Sequence, residues 1–157
     1  MEQVSDGPKV HFPPPLIYLA GLMLGIGGDR LLHLRTLGLE PNLRDTVGPA
    51  LAVAGVLVSF AGAGLFVQHR TAIIPYKPAA RLVTSGIYRW TRNPMYLGLA
   101  LLYAGLAILS NSLLALILLA PVLAIVQTQV VAREEAYLHR AFGSEYVAYR
   151  NRVRPWI

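Results

Sequence analysis

Residues 93–132 read NPMYLGLALLYAGLAILSNSLLALILLAPVLAIVQTQVVA, and none of these 40 residues is Asp, Glu, Lys or Arg. A helix that crosses the hydrocarbon core of a membrane needs about 20 apolar residues, so the stretch is too long for one crossing and suits two. Ser110, Asn111 and Ser112 stand near its middle and are typical turn residues. The stretch therefore predicts a tight hairpin of two transmembrane helices, at residues 94–109 and 112–133.

Two further uncharged stretches precede this hairpin, at residues 10–28 and 46–68. They predict transmembrane helices at about 13–30 and 47–68. The fold class is therefore an all-α integral membrane protein of about four transmembrane helices, in which residues 1–157 form a single membrane domain and a helical extension follows the hairpin.

Small residues recur at helical spacing in the first two predicted helices. Gly21 and Gly25 are four residues apart, and Gly55, Ser59 and Ala63 continue the same spacing. Such stripes let helix backbones approach closely in lipid, where no hydrophobic force drives helices together. They predict close helix contacts, either within the chain or between two copies, and the oligomeric state stays open.

The composition excludes several classes of protein. Hydrophobic residues make up 55% and charged residues 14%, with a mean hydropathy of +0.50, whereas a soluble domain carries about 25% charged residues. A soluble globule and a disordered chain are therefore excluded. Because the chain has no cysteine, a disulfide scaffold, a zinc–cysteine site and a cysteine nucleophile are excluded too. No metal site is predicted.

The basic residues are distributed unequally between the two ends of the predicted bundle. Eleven of the fourteen belong to the N-terminal tail, the 69–92 loop and the C-terminal tail, and three belong to the 29–45 loop. The positive-inside rule then predicts that both termini are in the cytoplasm, and the expected membrane is a bacterial inner membrane. The net charge of +6 indicates orientation and contact with anionic lipids, and nucleic acid is not a predicted partner.

The segment before the hairpin, residues 82–98, reads LVTSGIYRWTRNPMYLG. Asn93 followed by Pro94 is typical of a helix start, since Asn is a favoured N-cap and Pro a favoured first residue. The free N–H groups of the first turn could bind an anion, and Gly98 could let a ligand lie against the backbone. The alternative is a capped membrane helix with interfacial aromatic residues and no ligand.

The segment after the hairpin, residues 133–150, reads REEAYLHRAFGSEYVAYR. The last transmembrane helix is expected to continue into it and to end near Gly143. Glu134 and Glu135 are adjacent carboxylates close to the membrane, and they could accept hydrogen bonds from hydroxyl or amine groups of a ligand. Alternatively they lie on a solvated helix face, with Glu135 and His139 as an i,i+4 pair.

These two segments resemble the isoprenylcysteine carboxyl methyltransferase and phospholipid N-methyltransferase superfamily of integral-membrane enzymes. The first family motif is Gly-x-Tyr-x-x-x-Arg-His-Pro-x-Tyr-x-Gly, matched here by Gly86, Tyr88, Arg92, Asn93, Pro94, Tyr96 and Gly98. The second is Glu-Glu-x-x-Leu-x-x-x-Phe-Gly-x-x-Tyr-x-x-Tyr, matched by Glu134, Glu135, Leu138, Phe142, Gly143, Tyr146 and Tyr149. The resemblance covers residues 82–157, which would form the cofactor-binding core.

The resemblance implies an S-adenosylmethionine-dependent methyltransferase that acts on a lipophilic small molecule or lipid at the cytoplasmic membrane face. It implies that the cofactor is held by Tyr88, Arg92, Asn93, Pro94, Tyr96, Leu97, Gly98, Glu134 and Glu135. No catalytic residue is assigned, because methyl transfer needs alignment of nucleophile, methyl group and sulfur more than it needs a fixed acid or base. Whether oxygen, nitrogen or sulfur is methylated stays open.

The sequence departs from the family at two places. Asn93 stands where the family usually has His, so a titrating role at this position is lost. Residues 127–132 carry no charge, whereas the eukaryotic prenylcysteine enzymes have basic residues there that suit a carboxylate substrate. This difference argues against prenylcysteine as the acceptor.

Two other functions are compatible with parts of the pattern. Integral-membrane sterol reductases share a similar C-terminal pattern and use NADPH, but they normally have many more helices. A non-enzymatic membrane scaffold or lipid-binding module would use the basic tail for lipid contact and leave Glu134 and Glu135 in solvent.

Overall fold

The computed structural model describes residues 7–8, 10, 12–34, 36–71 and 79–157, and secondary structure in these ranges is helical except for one isolated bridge. The helices are α1 (Pro14–Leu32), α2 (Pro41–Gln68), α3 (Pro94–Leu109), α4 (Leu113–Val126), α5 (Ala132–Phe142) and α6 (Ser144–Arg152). A 3-10 helix, Gly86–Arg89, precedes α3, and a π-helical segment, Gln127–Val131, joins α4 to α5. The all-α prediction is confirmed. Lys9, Arg35 and Lys77, which contribute to the predicted charge bias, lie outside the described residues.

Within the described part of the chain, three helices are long and apolar enough to cross a membrane: α1, α2 and the continuous helix Leu113–Phe142. The fourth apolar helix, α3, has 16 residues and is about 24 Å long, shorter than a hydrocarbon core of about 30 Å. It nevertheless runs from one end of the bundle to the other, because its first turn packs beside Gly62 of α2 and Leu109 packs beside Gly48. The predicted hairpin is therefore present, with one short arm.

The second helix begins six residues earlier than predicted, at Pro41 instead of residue 47. Pro41 occupies the first turn, where its missing N–H costs no hydrogen bond. Arg44 and Asp45 lie in the next turn and pair with each other at 2.8 Å. The uncharged stretch predicted only the part of α2 that is apolar enough to face lipid. The helix itself begins before that part, in a polar region.

Glycine residues set the contact between α2 and α3. A Cβ at Gly55 would meet backbone atoms of Gly98 and Leu102, and a Cβ at Gly105 would meet backbone atoms of Gly48 and Ala52. The stripe on α2 runs through Gly48, Gly55 and Gly62 at seven-residue spacing, with Ser59 beside it. Gly55 and Ser59 were both predicted in this stripe, and the repeat of seven residues among the glycines is typical of two antiparallel helices in contact.

The small pair on α1 packs inside the same chain. A Cβ at Gly21 would meet Val122 of α4 and Tyr103 of α3, and a Cβ at Gly25 would meet Ala115 of α4. Helix α3 therefore lies against α1, α2 and α4. The small residues of both stripes are used for packing within one copy of the chain.

Replacing Gly55 with alanine is expected to lower the free energy of unfolding by about 1–3 kcal/mol, because the added methyl meets backbone that can move only with the whole of α3. The control is Gly64→Ala on the same helix, where a Cβ would have nothing within 4 Å. Denaturant unfolding in detergent micelles measures both variants. Equal losses in the two would contradict this account of the α2–α3 contact.

The turn between α3 and α4 is fastened to the end of α1. Ser112 caps α4 by accepting a hydrogen bond from the N–H of Ala115 at 3.1 Å. The carboxylate of Asp29 accepts hydrogen bonds from the Ser112 hydroxyl and from the N–H of Leu114. Asn111 has a φ of +53°, as a tight turn requires. The predicted turn at 110–112 is confirmed, and it lies at the end of the bundle opposite the start of α1 and the C-terminal residues.

The other end of the bundle carries the C-terminal extension. The last long helix continues from Leu113 to Phe142 and ends before Gly143, which has a φ of +51°, as predicted. The chain then reverses into α6, and its last residues pass beside the start of α3, where the carbonyl of Arg154 accepts the N–H of Arg92 at 3.0 Å. This arrangement brings the two motif segments together.

Candidate active site

A cavity lies where α2 ends and α3 begins, and α5, α6 and the 3-10 helix enclose it. Six of the nine predicted site residues line it: Tyr88, Arg92, Asn93, Tyr96, Glu134 and Glu135. The cavity also has an apolar lining, formed by Phe66, Leu82, Val83, Met95 and Leu138. Pro8 also lines the cavity. The site therefore joins polar groups to apolar wall in one space.

Glu134 and Tyr96 connect the two motif segments directly. The hydroxyl of Tyr96 donates a hydrogen bond to Oε1 of Glu134, with 2.5 Å between the oxygens. Tyr18 of α1 donates to the backbone carbonyl of Tyr96 at 3.0 Å, which fixes the first turn of α3 from the other side. Tyr96 is buried and Glu134 is half-buried. The hydrogen bond from Tyr96 thus fixes the orientation of the Glu134 carboxylate. The second carboxylate oxygen can accept a hydrogen bond from another partner.

Arg92 and Glu135 form an ion pair in the same cavity. The distance from Nη2 of Arg92 to Oε1 of Glu135 is 2.6 Å, and the two side chains are 9% and 19% exposed. Nη1 of Arg92 also donates to the carbonyls of Arg150 and Val153, each at 3.0 Å. A charge this well enclosed needs such partners, because burial of an unpaired ion is costly. Arg92 therefore ties α5 and the C-terminal segment to the start of α3.

Asn93 lies at the N-cap position, as predicted, but its side chain does not cap α3. The side-chain amide donates to the carbonyl of Pro155 at 2.8 Å, and the hydroxyl of Thr91 donates to the same carbonyl at 3.1 Å. Trp156 donates from its indole N–H to the side-chain oxygen of Gln127 at 2.8 Å. The Asn93 side chain therefore binds the C-terminal segment instead of capping α3, because an amide can donate to a carbonyl as well as accept from a helix N–H.

The tyrosines around the cavity differ in how their hydroxyl groups are used. Tyr149 donates to the carbonyl of Tyr88 at 2.8 Å, and Tyr137 accepts the N–H of Ala79 at 2.9 Å. Burial raises the pKa of Tyr88 and of Tyr149 well above the ordinary value of 10, and it raises the pKa of Tyr146 to about 12. These phenols are therefore neutral near pH 7 and can act as hydrogen-bond donors.

Three predicted site residues, Pro94, Leu97 and Gly98, do not line the cavity. Gly98 lies against α2, where an added Cβ would meet Ser59 and the carbonyl of Gly55. Close packing of two helices, rather than close approach of a ligand, accounts for glycine at this position. Pro94 is buried at the start of α3 and packs near Gly62.

Several cavity residues were not predicted as ligand contacts. Tyr137 follows Glu134 by three positions on α5, so helical spacing alone could have placed it on the same face. Tyr146 and Tyr149 belong to the second motif but were not assigned to the site. The π-helical segment Gln127–Val131 had no sequence signal, although π-helical turns often occur near functional sites.

A large part of the chain matches a known protein family. The profile of a family described as phospholipid methyltransferase matches residues 43–145, more than half of the chain. The match includes most of the site and also reaches back into α2, which the motifs alone did not suggest. No solved structure matches the chain.

Two relatives with assigned names are protein-S-isoprenylcysteine O-methyltransferases. The protein of Schizosaccharomyces pombe is 38% identical and that of Saccharomyces cerevisiae 36% identical, each over 72 residues, or 46% of this chain. The aligned region spans only 30% of the length of each of these relatives. An uncharacterized protein of Haemophilus influenzae is 44% identical over 64 residues, which are 40% of this chain and the whole of that protein.

Proposed function

Because the chain belongs to the phospholipid methyltransferase family, we propose that it transfers a methyl group from S-adenosylmethionine to a lipophilic acceptor. The observation that carries this proposal is the cavity in which Tyr96 and Arg92 of the first motif meet Glu134 and Glu135 of the second. The motifs are separated by a 40-residue hairpin, and one cavity brings residues of both together.

The cavity fits the chemistry of this cofactor. S-adenosylmethionine presents an ammonium group, hydroxyl groups and a sulfonium, and carboxylates are suitable partners for all three kinds of group. Glu134 and Glu135 would accept hydrogen bonds from the ammonium and from the ribose hydroxyls. The cofactor also carries a carboxylate, and the buried N–H and O–H donors of the cavity would bind it.

The protein's own contribution is to bind, orient and exclude water. When bound, S-adenosylmethionine supplies an electrophilic methyl group on a positively charged sulfur. Tyr96 aims the Glu134 carboxylate, and Arg92 does the same for Glu135. Fixed groups of this kind hold reactants in an aligned geometry, which can account for many orders of magnitude in rate.

The acceptor is proposed to be lipophilic because one wall of the cavity is apolar and faces the end of the membrane helices. Phe66 comes from the last turns of α2, and Met95 comes from the first turn of α3. An apolar acceptor could reach this wall from lipid, while the cofactor enters from water. The π-helical segment at 127–131 carries no charge, whereas the eukaryotic prenylcysteine enzymes have basic residues there, and this difference argues against prenylcysteine as the acceptor.

We also propose that the cavity faces the cytoplasm. Most basic residues of the described chain lie near the cavity end, whereas Asp29 and the 110–112 turn lie at the other end. The positive-inside rule assigns the cavity end to the cytoplasmic side, where S-adenosylmethionine is made. Arg150, Arg152 and Arg154 are exposed there and suit anionic headgroups.

Titration calorimetry of the purified chain in lipid nanodiscs tests the proposal. S-adenosylmethionine and its product S-adenosylhomocysteine should each bind at one site per chain. Binding of NADPH without binding of either compound would instead support a membrane reductase. If none of the three ligands binds, the proposed function is wrong and a non-enzymatic lipid-binding role is favoured.

A further inference from the structure

Three hydrogen-bond donors on the cavity wall have no partner among the described residues: the hydroxyls of Tyr88 and Tyr146 and Nε of Arg92. All three side chains are at least nine-tenths buried, with exposed fractions of 4% for Tyr88, 1% for Tyr146 and 9% for Arg92. Buried polar groups in native proteins nearly always have a partner. Three unpartnered donors on residues of one cavity indicate that a bound ligand supplies the hydrogen-bond acceptor.

The lack of partners is selective. Tyr149, Tyr137 and Tyr96 line the same cavity, and each has its hydroxyl engaged with a carbonyl, an N–H or a carboxylate. Tyr103, at the other end of the bundle, donates to the carbonyl of Ala115 at 2.9 Å. The hydroxyls of Tyr88 and Tyr146 are therefore exceptions within a set of well-satisfied phenols.

The chemistry of the three groups specifies what they would bind. Nε of Arg92 can only donate, and a phenol that stays neutral donates readily. The remaining nitrogens of Arg92 are already used by Glu135 and by two backbone carbonyls. One charged and two neutral donors on residues that line one cavity suit an oxyanion, because hydrogen bonds to an ionised acceptor are about twice as strong as neutral ones.

We propose that Tyr88, Tyr146 and Nε of Arg92 form an oxyanion subsite that binds the carboxylate of the methionine moiety of S-adenosylmethionine. This assignment rests on the proposed function and adds Tyr146 to the binding residues. It also replaces the first turn of α3 as the predicted place of the carboxylate. The neighbouring Glu135 supplies the opposite charge that the ammonium group of the same moiety needs.

The test compares two ligands that differ only in the carboxylate. Binding of S-adenosylmethionine and of decarboxylated S-adenosylmethionine is measured by calorimetry in nanodiscs for the wild-type chain, Tyr146→Phe and Tyr88→Phe. Each substitution removes one hydroxyl and keeps the ring, which packs on Tyr149 or Phe66. We expect each substitution to weaken the binding of S-adenosylmethionine about tenfold or more. The affinity for the decarboxylated ligand should change less than about twofold.

Tyr103→Phe is the matched control, because it removes a phenol hydroxyl far from the cavity and should change neither affinity. Unfolding of the ligand-free chains gives a second readout. Tyr146→Phe should leave stability unchanged, since its hydroxyl has no partner to lose, whereas Tyr103→Phe should lower it.

Equal loss for both ligands, or no loss for either, would overturn the subsite. If the wild-type chain binds neither ligand, the proposed function itself fails, which is a distinct result from unchanged binding in the variants.

Discussion

Replacing Arg92 with alanine is expected to lower the free energy of unfolding by about 3–5 kcal/mol and to abolish measurable cofactor binding. The substitution leaves Glu135 without its cation at 2.6 Å, and breaking one side of an enclosed ion pair typically costs this much. It also removes the donor for the carbonyls of Arg150 and Val153, which hold the C-terminal segment. Denaturant unfolding in micelles and calorimetry in nanodiscs measure the two effects.

A double variant separates the two contributions. In Arg92→Leu with Glu135→Leu neither member of the ion pair is left as an unpaired charge, so we expect part of the lost stability to return. Binding of S-adenosylmethionine should stay lost, because both polar partners are gone. Restored binding in the double variant would show that Arg92 and Glu135 have only a structural role.

Replacing Glu134 with glutamine is expected to weaken the binding of S-adenosylmethionine by about 10- to 100-fold, with little change in the free energy of unfolding. Glutamine keeps an oxygen that can accept the hydrogen bond from Tyr96, so the link between α3 and α5 is retained. It removes the negative charge, and a hydrogen bond to a charged group contributes about 1.5–3 kcal/mol. Calorimetry against the wild-type chain measures the loss.

Glu145→Gln is the matched control for that experiment. Glu145 lies in the first turn of α6, is exposed and does not line the cavity. The Glu145→Gln substitution removes one negative charge from the same end of the bundle and should leave the affinity for S-adenosylmethionine unchanged. If Glu134→Gln and Glu145→Gln have the same effect, the Glu134 carboxylate does not contact the ligand.

Much of the architecture could be predicted because the physics behind it is local. A long run without charge specifies a hairpin, Ser and Asn residues specify its turn, and Gly143 specifies the end of the last helix. The lengths of α2 and α3 could not be read in this way. Absence of charge measures suitability for lipid, and a helix can start outside the lipid-facing region, as α2 does at Pro41, or fall short of the full thickness, as α3 does.

The site was predictable only in part, because its partners come from distant parts of the chain. The motifs marked Tyr96 and Glu134 as neighbours, and the structure joins them. Nothing local to Asn93 shows that Pro155 will take its side-chain amide, since that contact depends on the path of the C-terminal segment. The same holds for Gly98, whose neighbours on α2 are about 40 residues away in sequence.

The central claim is that the cavity between the start of α3, α5 and α6 binds S-adenosylmethionine. An experimental structure of the chain in lipid with S-adenosylhomocysteine tests it most directly. We predict nucleoside density in that cavity, within hydrogen-bond distance of Glu134 or Glu135, and a carboxylate at Tyr88 and Tyr146. Nucleoside density elsewhere on the protein, with this cavity left without ligand, would contradict the account.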